Sequence, residues 1–112
     1  MGTYSQDLIH SKAIDFLDKQ DNDVPFFLFY PTIIPHAELI VPEDSIIKKF
    51  RGKFPEKPYK GEEPGNRAYR KGDYCTQFYP HATFAAMIYR LDVYVGQIVQ
   101  KLKEKGLYDN TI

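Results

Sequence analysis

The first apolar pattern along the chain has helical spacing. Its members are Ile9, Ala13, Phe16 and Leu17, which fall on one stripe. Such a stripe predicts a helix with one buried face. Thr3 and Gln6 have the spacing of a capping box, which predicts a helix start near Thr3 or Ser5. The polar run 19–23 should end this helix. His10 falls among polar neighbours, and we expect it to face solvent.

The second pattern is a continuous apolar run over residues 25–30, bounded by Pro25 and Pro31. A short run of this kind predicts a strand buried on both faces, as in the middle of a parallel sheet. Over residues 31–80 the periodicity is lost, and prolines and glycines mark a long crossover loop region. Residues 45–50 could form a short helix within it.

The clearest pattern lies near the end of the chain, where apolar residues step alternately by four and three. These residues are Phe84, Ile88, Leu91, Val95, Ile98 and Leu102. They predict one face of a helix of about six turns. Gly106 suits the first position beyond the helix. Thr111 and Ile112 resemble the start of another strand.

The order of these elements is helix, buried strand, long crossover, helix and start of a strand. This order is typical of the α/β class and predicts part of a doubly wound, mostly parallel sheet domain. One complete strand cannot form a sheet or cover its own faces. We therefore expect residues 1–112 to be a single partial domain, an internal segment of a longer catalytic domain. Uncovered sheet faces would allow such a segment to self-associate.

Composition restricts the range of possible functions more than it restricts the range of possible folds. Fifteen basic and fifteen acidic residues cancel, so no overall field attracts nucleic acid. No apolar run is long enough to span a bilayer. The single cysteine, Cys75, excludes an internal disulfide and a multi-cysteine zinc site. It has no nearby base in the sequence, and we expect a packed or half-exposed thiol.

Charge is unevenly spread within the crossover region. Residues 51–73 contain seven basic and four acidic side chains. A solvated loop is the simpler interpretation of this excess. The more specific interpretation is that these residues form the rim of a site and attract anionic substrates.

Two histidines occupy positions suited to binding anions. His36 follows the carboxyl end of the predicted strand, where ligands bind in open α/β sheets. It could donate a proton to a leaving oxygen or hold an anionic group, or it could only bond a loop carbonyl. His81 falls at the start of the last helix, where backbone N–H groups can bind anionic substrates. An ordinary polar residue near a helix start is the alternative interpretation.

Three features together resemble one known family. They are residues 25–30 followed by Pro35-His36, then Tyr89-Arg90-Leu91-Asp92 followed by Val95-Gly96, and the closing segment 106–112. In this order and spacing they are similar to the sulfatase family, within the alkaline-phosphatase-like superfamily. The sequences of residues 35–39 and 80–87 are especially similar to those of sulfatases from glycan-degrading bacteria.

This resemblance implies an arylsulfatase-like hydrolase of sulfate monoesters, acting on aryl sulfates or sulfated sugars. It implies a formylglycine nucleophile, a calcium ion, and a location in the periplasm or at the cell surface. His36 matches the family's strand-end histidine, which contacts the sulfate and can protonate the leaving alcohol. On this basis His36 is the candidate catalytic residue, and His36 and His81 are the candidate substrate-binding residues.

Other parts of the family's catalytic machinery have no counterpart in this sequence. The formylglycine motif C/S-x-P/A-x-R does not fit around Cys75, which stands in Tyr74-Cys75-Thr76-Gln77-Phe78. The calcium ligands are expected outside these residues too, so we expect the isolated chain to be inactive. A phosphatase or phosphodiesterase of the same superfamily, using two metals, is the alternative enzyme. A non-catalytic interaction module is the alternative outside enzymes.

Overall fold

A computed structural model describes residues 3–61 and 74–112. The elements are helix α1 (Ser5–Asp18), helix α2 (Ser45–Phe50), helix α3 (Pro80–Glu104) and a short 3-10 helix (Tyr108–Asn110). The short helix expected at residues 45–50 is thus confirmed. Within the two described stretches no helix has the length and apolar character needed to cross a membrane.

The expected α/β parallel-sheet fold is wrong for this chain. The described residues contain no strand, and their only β-type pairing is an isolated antiparallel bridge between Tyr59 and Gln77. Residues 26–29 form no backbone hydrogen bond with any described residue. A strand exists through its hydrogen-bonded neighbour, and an apolar run alone does not supply one.

The segment 26–30 nevertheless keeps the period of two that a strand has. Residues 26, 28 and 30 are half-buried, whereas Phe27 and Phe29 are 86% and 76% exposed. The apolar run was expected to be buried on both faces, but here it is buried on one face only. Two large aromatic rings therefore lie on the surface.

The chain divides into two compact units. The first consists of Met1–Ile33 and Leu91–Ile112, and the second of Ile34–Arg90. The division falls within α3, after Arg90.

The first unit has an apolar cluster at the ends of its helices. Leu17, Leu102 and Leu107 are its buried members. The half-buried side chains packed against them are Phe16, Phe26, Leu28 and Ile98. Gly106 adopts φ +68° just after α3, as the sequence predicts, because a residue without Cβ takes this left-handed conformation at little cost.

The expected capping box at the start of α1 is wrong, because Gln6 is used differently. Tyr4 is the N-cap residue and its side chain makes no capping hydrogen bond. The fully buried Gln6 instead donates from Nε2 to the Tyr30 hydroxyl, at 3.2 Å, and accepts from the Ile33 N–H at 3.0 Å. A residue that looked like a local cap therefore connects α1 to the end of the apolar segment.

The expectation that His10 faces solvent is also wrong, since it is only 7% exposed. Its Nε2 lies 2.7 Å from Gln97 Oε1, and its Nδ1 lies 3.3 Å from the Tyr30 hydroxyl. Tyr94 stacks on the imidazole ring with centroids 4.4 Å apart. These partners fit the neutral tautomer with its proton on Nε2, donating to Gln97 and accepting from Tyr30. Buried polar groups of this kind need such partners.

The second unit packs α2 against the first part of α3. The apolar cluster between these helices has Ile47, Ala82 and Ala86 as its buried members. Small side chains on α3 let the larger Ile47 approach the helix closely. The N-terminus of α2 is capped by Asp44, whose Oδ1 accepts from the Ile46 and Ile47 N–H groups.

Helix α3 forms as predicted, but its buried face is not the predicted one over most of its length. Phe84, Ile88 and Val95 are all more than 40% exposed. The buried residues are Ala82, Thr83, Ala86, Met87, Arg90, Tyr94 and Leu102. The apolar stripe located the helix correctly, but small and amphipathic residues make its contacts within this chain.

Candidate functional site

His36 lies in a turn of the second unit, just after the cis peptide bond between Ile34 and Pro35. Its Nδ1 accepts a hydrogen bond from the Glu38 backbone N–H at 3.0 Å. An acceptor nitrogen carries no proton, so the neutral ring holds its proton on Nε2. The side chain is exposed. His36 can therefore present an Nε2–H donor to a ligand.

Glu38 fastens this turn to the segment that precedes α3. Its Oε1 accepts from the Cys75 backbone N–H at 3.0 Å. Nearby, Gln77 Nε2 donates to the Leu39 carbonyl at 2.6 Å. The turn is thus held at two points, which limits how far the His36 ring can move. Cys75 itself is half-buried, as expected.

Tyr74 is the aromatic neighbour of His36. The two ring centroids are 6.0 Å apart and the rings are nearly perpendicular, at 85°. The backbone of Tyr74 passes very close to Gly61, where an ideal Cβ would lie 1.8 Å from the Tyr74 carbonyl oxygen. Only glycine allows these two backbones to approach so closely.

Gly61 and Tyr74 belong to a short stem of two antiparallel segments joined by one β-bridge. Tyr59 and Gln77 exchange two backbone hydrogen bonds, of 2.8 and 2.9 Å. The Thr76 hydroxyl accepts from the Gly61 N–H and donates to the Gly61 carbonyl, both at 3.2 Å. This stem holds the segment that binds Glu38 and carries Tyr74.

His81 lies at the start of α3, in the same unit as His36 but with no contact to it among the described residues. Its ring Nδ1 lies 2.9 Å from the Pro55 carbonyl. The Glu56 carboxylate accepts from the His81 and Ala82 backbone N–H groups, each at 2.9 Å. The N–H groups expected to bind an anion are therefore occupied by Glu56. The substrate-binding role of His81 stays a prediction, and it now rests on the imidazole ring.

The basic residues of 51–73 are described only in part, because positions 62–73 lie outside the described residues. Arg51 forms a double hydrogen bond with the Glu43 carboxylate, at 2.5 and 2.6 Å, and lies over the Tyr79 ring. This guanidinium is thus neutralised locally. Whether the region attracts anionic substrates stays a prediction.

The described residues do not fit a metal site. No group of three or more His, Cys, Asp or Glu side chains converges within the described part of the chain. Asp44 and Glu56 are each bound by backbone N–H groups at a helix start. Cys75 has Gln77 and Tyr79 at the positions where the formylglycine motif needs Pro or Ala and Arg.

Comparison with protein families settles the relationship of the chain. The family model described as "Sulfatase" matches residues 2–112. The chain belongs to the sulfatase family. The match covers the whole described part, including His36, Glu38 and Tyr74. Membership of this family supports hydrolysis of sulfate esters as the activity.

Two features of this sulfatase's site could not be found from sequence patterns. Glu38 follows His36 closely, but nothing in the spacing shows that its N–H bonds the ring. Tyr74 is far from His36 in sequence, and the stem that brings them together contains a single bridge rather than strands. The signal that could have located the stem is Gly61, the glycine at the close approach.

Proposed function

We propose that this sulfatase hydrolyses sulfate monoesters and that His36 binds the sulfate through Nε2–H. The observation that carries the proposal is the hydrogen bond from the Glu38 N–H to His36 Nδ1. It favours the tautomer that offers Nε2–H to an anion. The exposure of the side chain leaves room for the ligand.

The same hydrogen bond bears on which role His36 plays. A general acid must start as imidazolium, with protons on both nitrogens, and Nδ1–H would then face the Glu38 N–H. A neutral imidazole instead donates a hydrogen bond and stabilises negative charge as it develops on the ester oxygens. We therefore favour a charge-stabilising donor over the proton donor expected from the family resemblance.

The proposed substrates are aryl sulfates or sulfated sugars. A calcium ion and formylglycine form part of the proposal as groups held by residues other than those described. The proposed location is the periplasm or the cell surface. Family membership supports a sulfate ester as the reacting group. The substrate classes, the two cofactors and the location are proposed from the sequence resemblance.

The test compares His36→Ala and His36→Gln in the sulfatase expressed from its complete reading frame. Removing one preorganised donor costs about 10²–10³ in kcat, and we expect that loss for His36→Ala. Gln can place an amide N–H near the Nε2 position and should restore part of the rate. Because the donor contacts the sulfate and gives no proton to the leaving oxygen, the loss should be similar for activated aryl sulfates and for esters with poor leaving groups.

Two results would count against this role. A much larger loss with poor leaving groups than with activated aryl sulfates would indicate a general acid. Wild-type activity of His36→Ala on both ester classes would remove His36 from the site. His81→Ala provides a second comparison, because loss of uniform substrate binding raises KM and leaves kcat unchanged.

A further inference from the structure

We propose that Tyr74 determines substrate specificity in this site by packing against the ring that carries the sulfate. The ligand class is then an aromatic or sugar ring bearing a sulfate ester. The inference rests on the proposed function, since it takes His36 as the group that binds the sulfate.

The first observation is distance. The Tyr74 ring centroid lies 6.0 Å from that of His36. An atom hydrogen-bonded to His36 Nε2 therefore lies at most roughly 10 Å from the centre of the Tyr74 ring. A sulfated monosaccharide or a phenyl sulfate spans a distance of this order. The organic part of such an ester can reach Tyr74 while its sulfate stays on His36.

The second observation is that the backbone of Tyr74 is held in place before any ligand binds. The next residue, Cys75, donates its N–H to Glu38, and the Tyr74 carbonyl lies against Gly61. Glu38 also bonds the His36 ring. One glutamate thus sets the positions of both His36 and Tyr74. Contacts that need no ordering on binding contribute more of their energy to affinity.

The third observation concerns the chemistry that Tyr74 offers. Its side chain is half-buried, so part of the ring remains accessible. No described residue hydrogen-bonds its hydroxyl. The ring face can pack against the apolar surface of an aryl or sugar ring. The hydroxyl can donate to or accept from a sugar hydroxyl, which a phenyl ring lacks.

These features predict that the two side chains bind different parts of the substrate. His36 binds the sulfate, which all substrates share. Tyr74 binds the ring, which differs between substrates. A change at Tyr74 should therefore affect ring-bearing esters and spare inorganic sulfate.

The experiment measures KM for phenyl sulfate and for a sulfated monosaccharide, and Ki for inorganic sulfate, in the complete sulfatase. Stacking on an aromatic side chain contributes enough that its loss weakens binding by about tenfold or more. We expect Tyr74→Ala to raise both KM values about tenfold and to leave the Ki unchanged. Tyr74→Phe should have the wild-type KM for phenyl sulfate, and its KM for the sulfated monosaccharide should lie between those of the wild type and Tyr74→Ala.

Two further variants keep the result interpretable. Tyr74→Leu retains bulk without an aromatic face and should resemble Tyr74→Ala if the ring itself matters. Tyr108→Ala removes a more exposed tyrosine from the first unit, where Lys103 lies over its ring, and should change none of the three constants.

Other outcomes overturn the inference. If Tyr74→Ala weakens the binding of inorganic sulfate as much as that of the esters, Tyr74 acts by holding His36 and not by binding the ring of the substrate. If Tyr74→Ala and Tyr74→Leu leave every constant unchanged, Tyr74 lies outside the site. If the wild-type enzyme hydrolyses no sulfate ester, the proposed function is wrong and this inference fails with it. That result concerns the wild type and is therefore distinguishable from the two variant results above.

Discussion

Asp44 shows how one side chain in this sulfatase performs two structural tasks. One carboxylate oxygen caps α2, and the other accepts from Arg90, which is 6% exposed. Burial acts to raise the pKa of Asp44. The hydrogen bond from Arg90, the backbone N–H groups of Ile46 and Ile47, and the Arg90 charge together outweigh it and lower that pKa from its ordinary value.

The sign of this pKa change predicts how stability depends on pH. A carboxyl with a lower pKa in the folded state stabilises it at pH values above the unfolded pKa. That contribution is lost as the pH falls through the folded pKa. We expect the free energy of unfolding to decrease below pH ~4, with part of the decrease absent in Asp44→Asn.

Two substitutions at Asp44 separate its tasks. Asn keeps the cap and removes the charge, whereas Ala removes both. We expect Asp44→Ala to cost about 3 kcal/mol, because it leaves the Arg90 charge buried without this carboxylate, and Asp44→Asn to cost less. Urea denaturation at pH 7 and at pH 3 measures both. Equal pH dependence in wild type and Asp44→Asn would exclude Asp44 as the titrating group.

Sequence patterns located some individual residues well and others poorly. The turn that carries His36 could be placed because it follows a distinctive apolar run, and Gly106 because a helix end needs a left-handed residue. His10 could not be placed, since its polar sequence neighbours hide that Tyr30 and Gln97 come from other segments. Long-range polar contacts leave no periodic trace in the sequence.

At the scale of elements, α3 shows what a hydrophobic pattern does and does not specify. The spacing of its apolar residues fixed the helix, because helical period depends on local geometry alone. Which face is buried depends on neighbours, and here Ala82 and Ala86 pack on Ile47 while Phe84 and Ile88 remain largely exposed. The predicted strand at 25–30 was wrong for the same reason, since pairing needs a second segment.

The stem around Gly61 supplies a prediction at this scale. Gly61→Ala would place a Cβ 1.8 Å from the Tyr74 carbonyl oxygen, so the backbone must shift. We expect a loss of about 1–3 kcal/mol in the free energy of unfolding. Hydrogen-exchange protection of the Tyr59 and Gln77 amides should also fall, because these amides form the bridge.

Gly96→Ala is the matched control for this substitution. Gly96 lies within α3, and no atom is within 4 Å of its ideal Cβ. Alanine there should stabilise the helix by about 0.5–1 kcal/mol. The two Gly→Ala changes are thus expected to have opposite signs. Equal effects would mean that the close approach at Gly61 is not tight in solution.

At the scale of the whole molecule, the exposed side of 25–30 offers a surface on which copies of the chain can pair. The self-association expected from uncovered sheet faces cannot use a sheet, since none occurs within the described residues. Residues 26–29 instead offer unpaired backbone groups beside the exposed Phe27 and Phe29. Unpaired edges of this kind accept another extended segment.

We propose that a second copy of this chain pairs with the exposed side of residues 25–30. An antiparallel pair centred on Leu28 places Phe27 of each copy opposite Phe29 of the other. No charged residue lies between Asp23 and Glu38 to oppose this pairing. Four aromatic rings bury roughly 600–1,000 Å², below the ~1,200 Å² of stable interfaces. The expected dimer is therefore weak and depends on concentration.

Sedimentation velocity over a concentration series tests this dimer. The double variant Phe27→Ser with Phe29→Ser should shift the chain to monomer. Phe78→Ser removes a similarly exposed ring from the other unit and should leave the dimer intact. A chain that stays monomeric at every concentration, or one that responds equally to both variants, would contradict the pairing.

The close approach at Gly61 also limits how the gene can change. Every glycine codon begins with two guanines, and any base change at either of them introduces a bulkier residue or a stop. Only third-base changes are silent at this codon. In a saturation library selected for activity, position 61 should retain synonymous codons alone, whereas position 96 should drift to alanine.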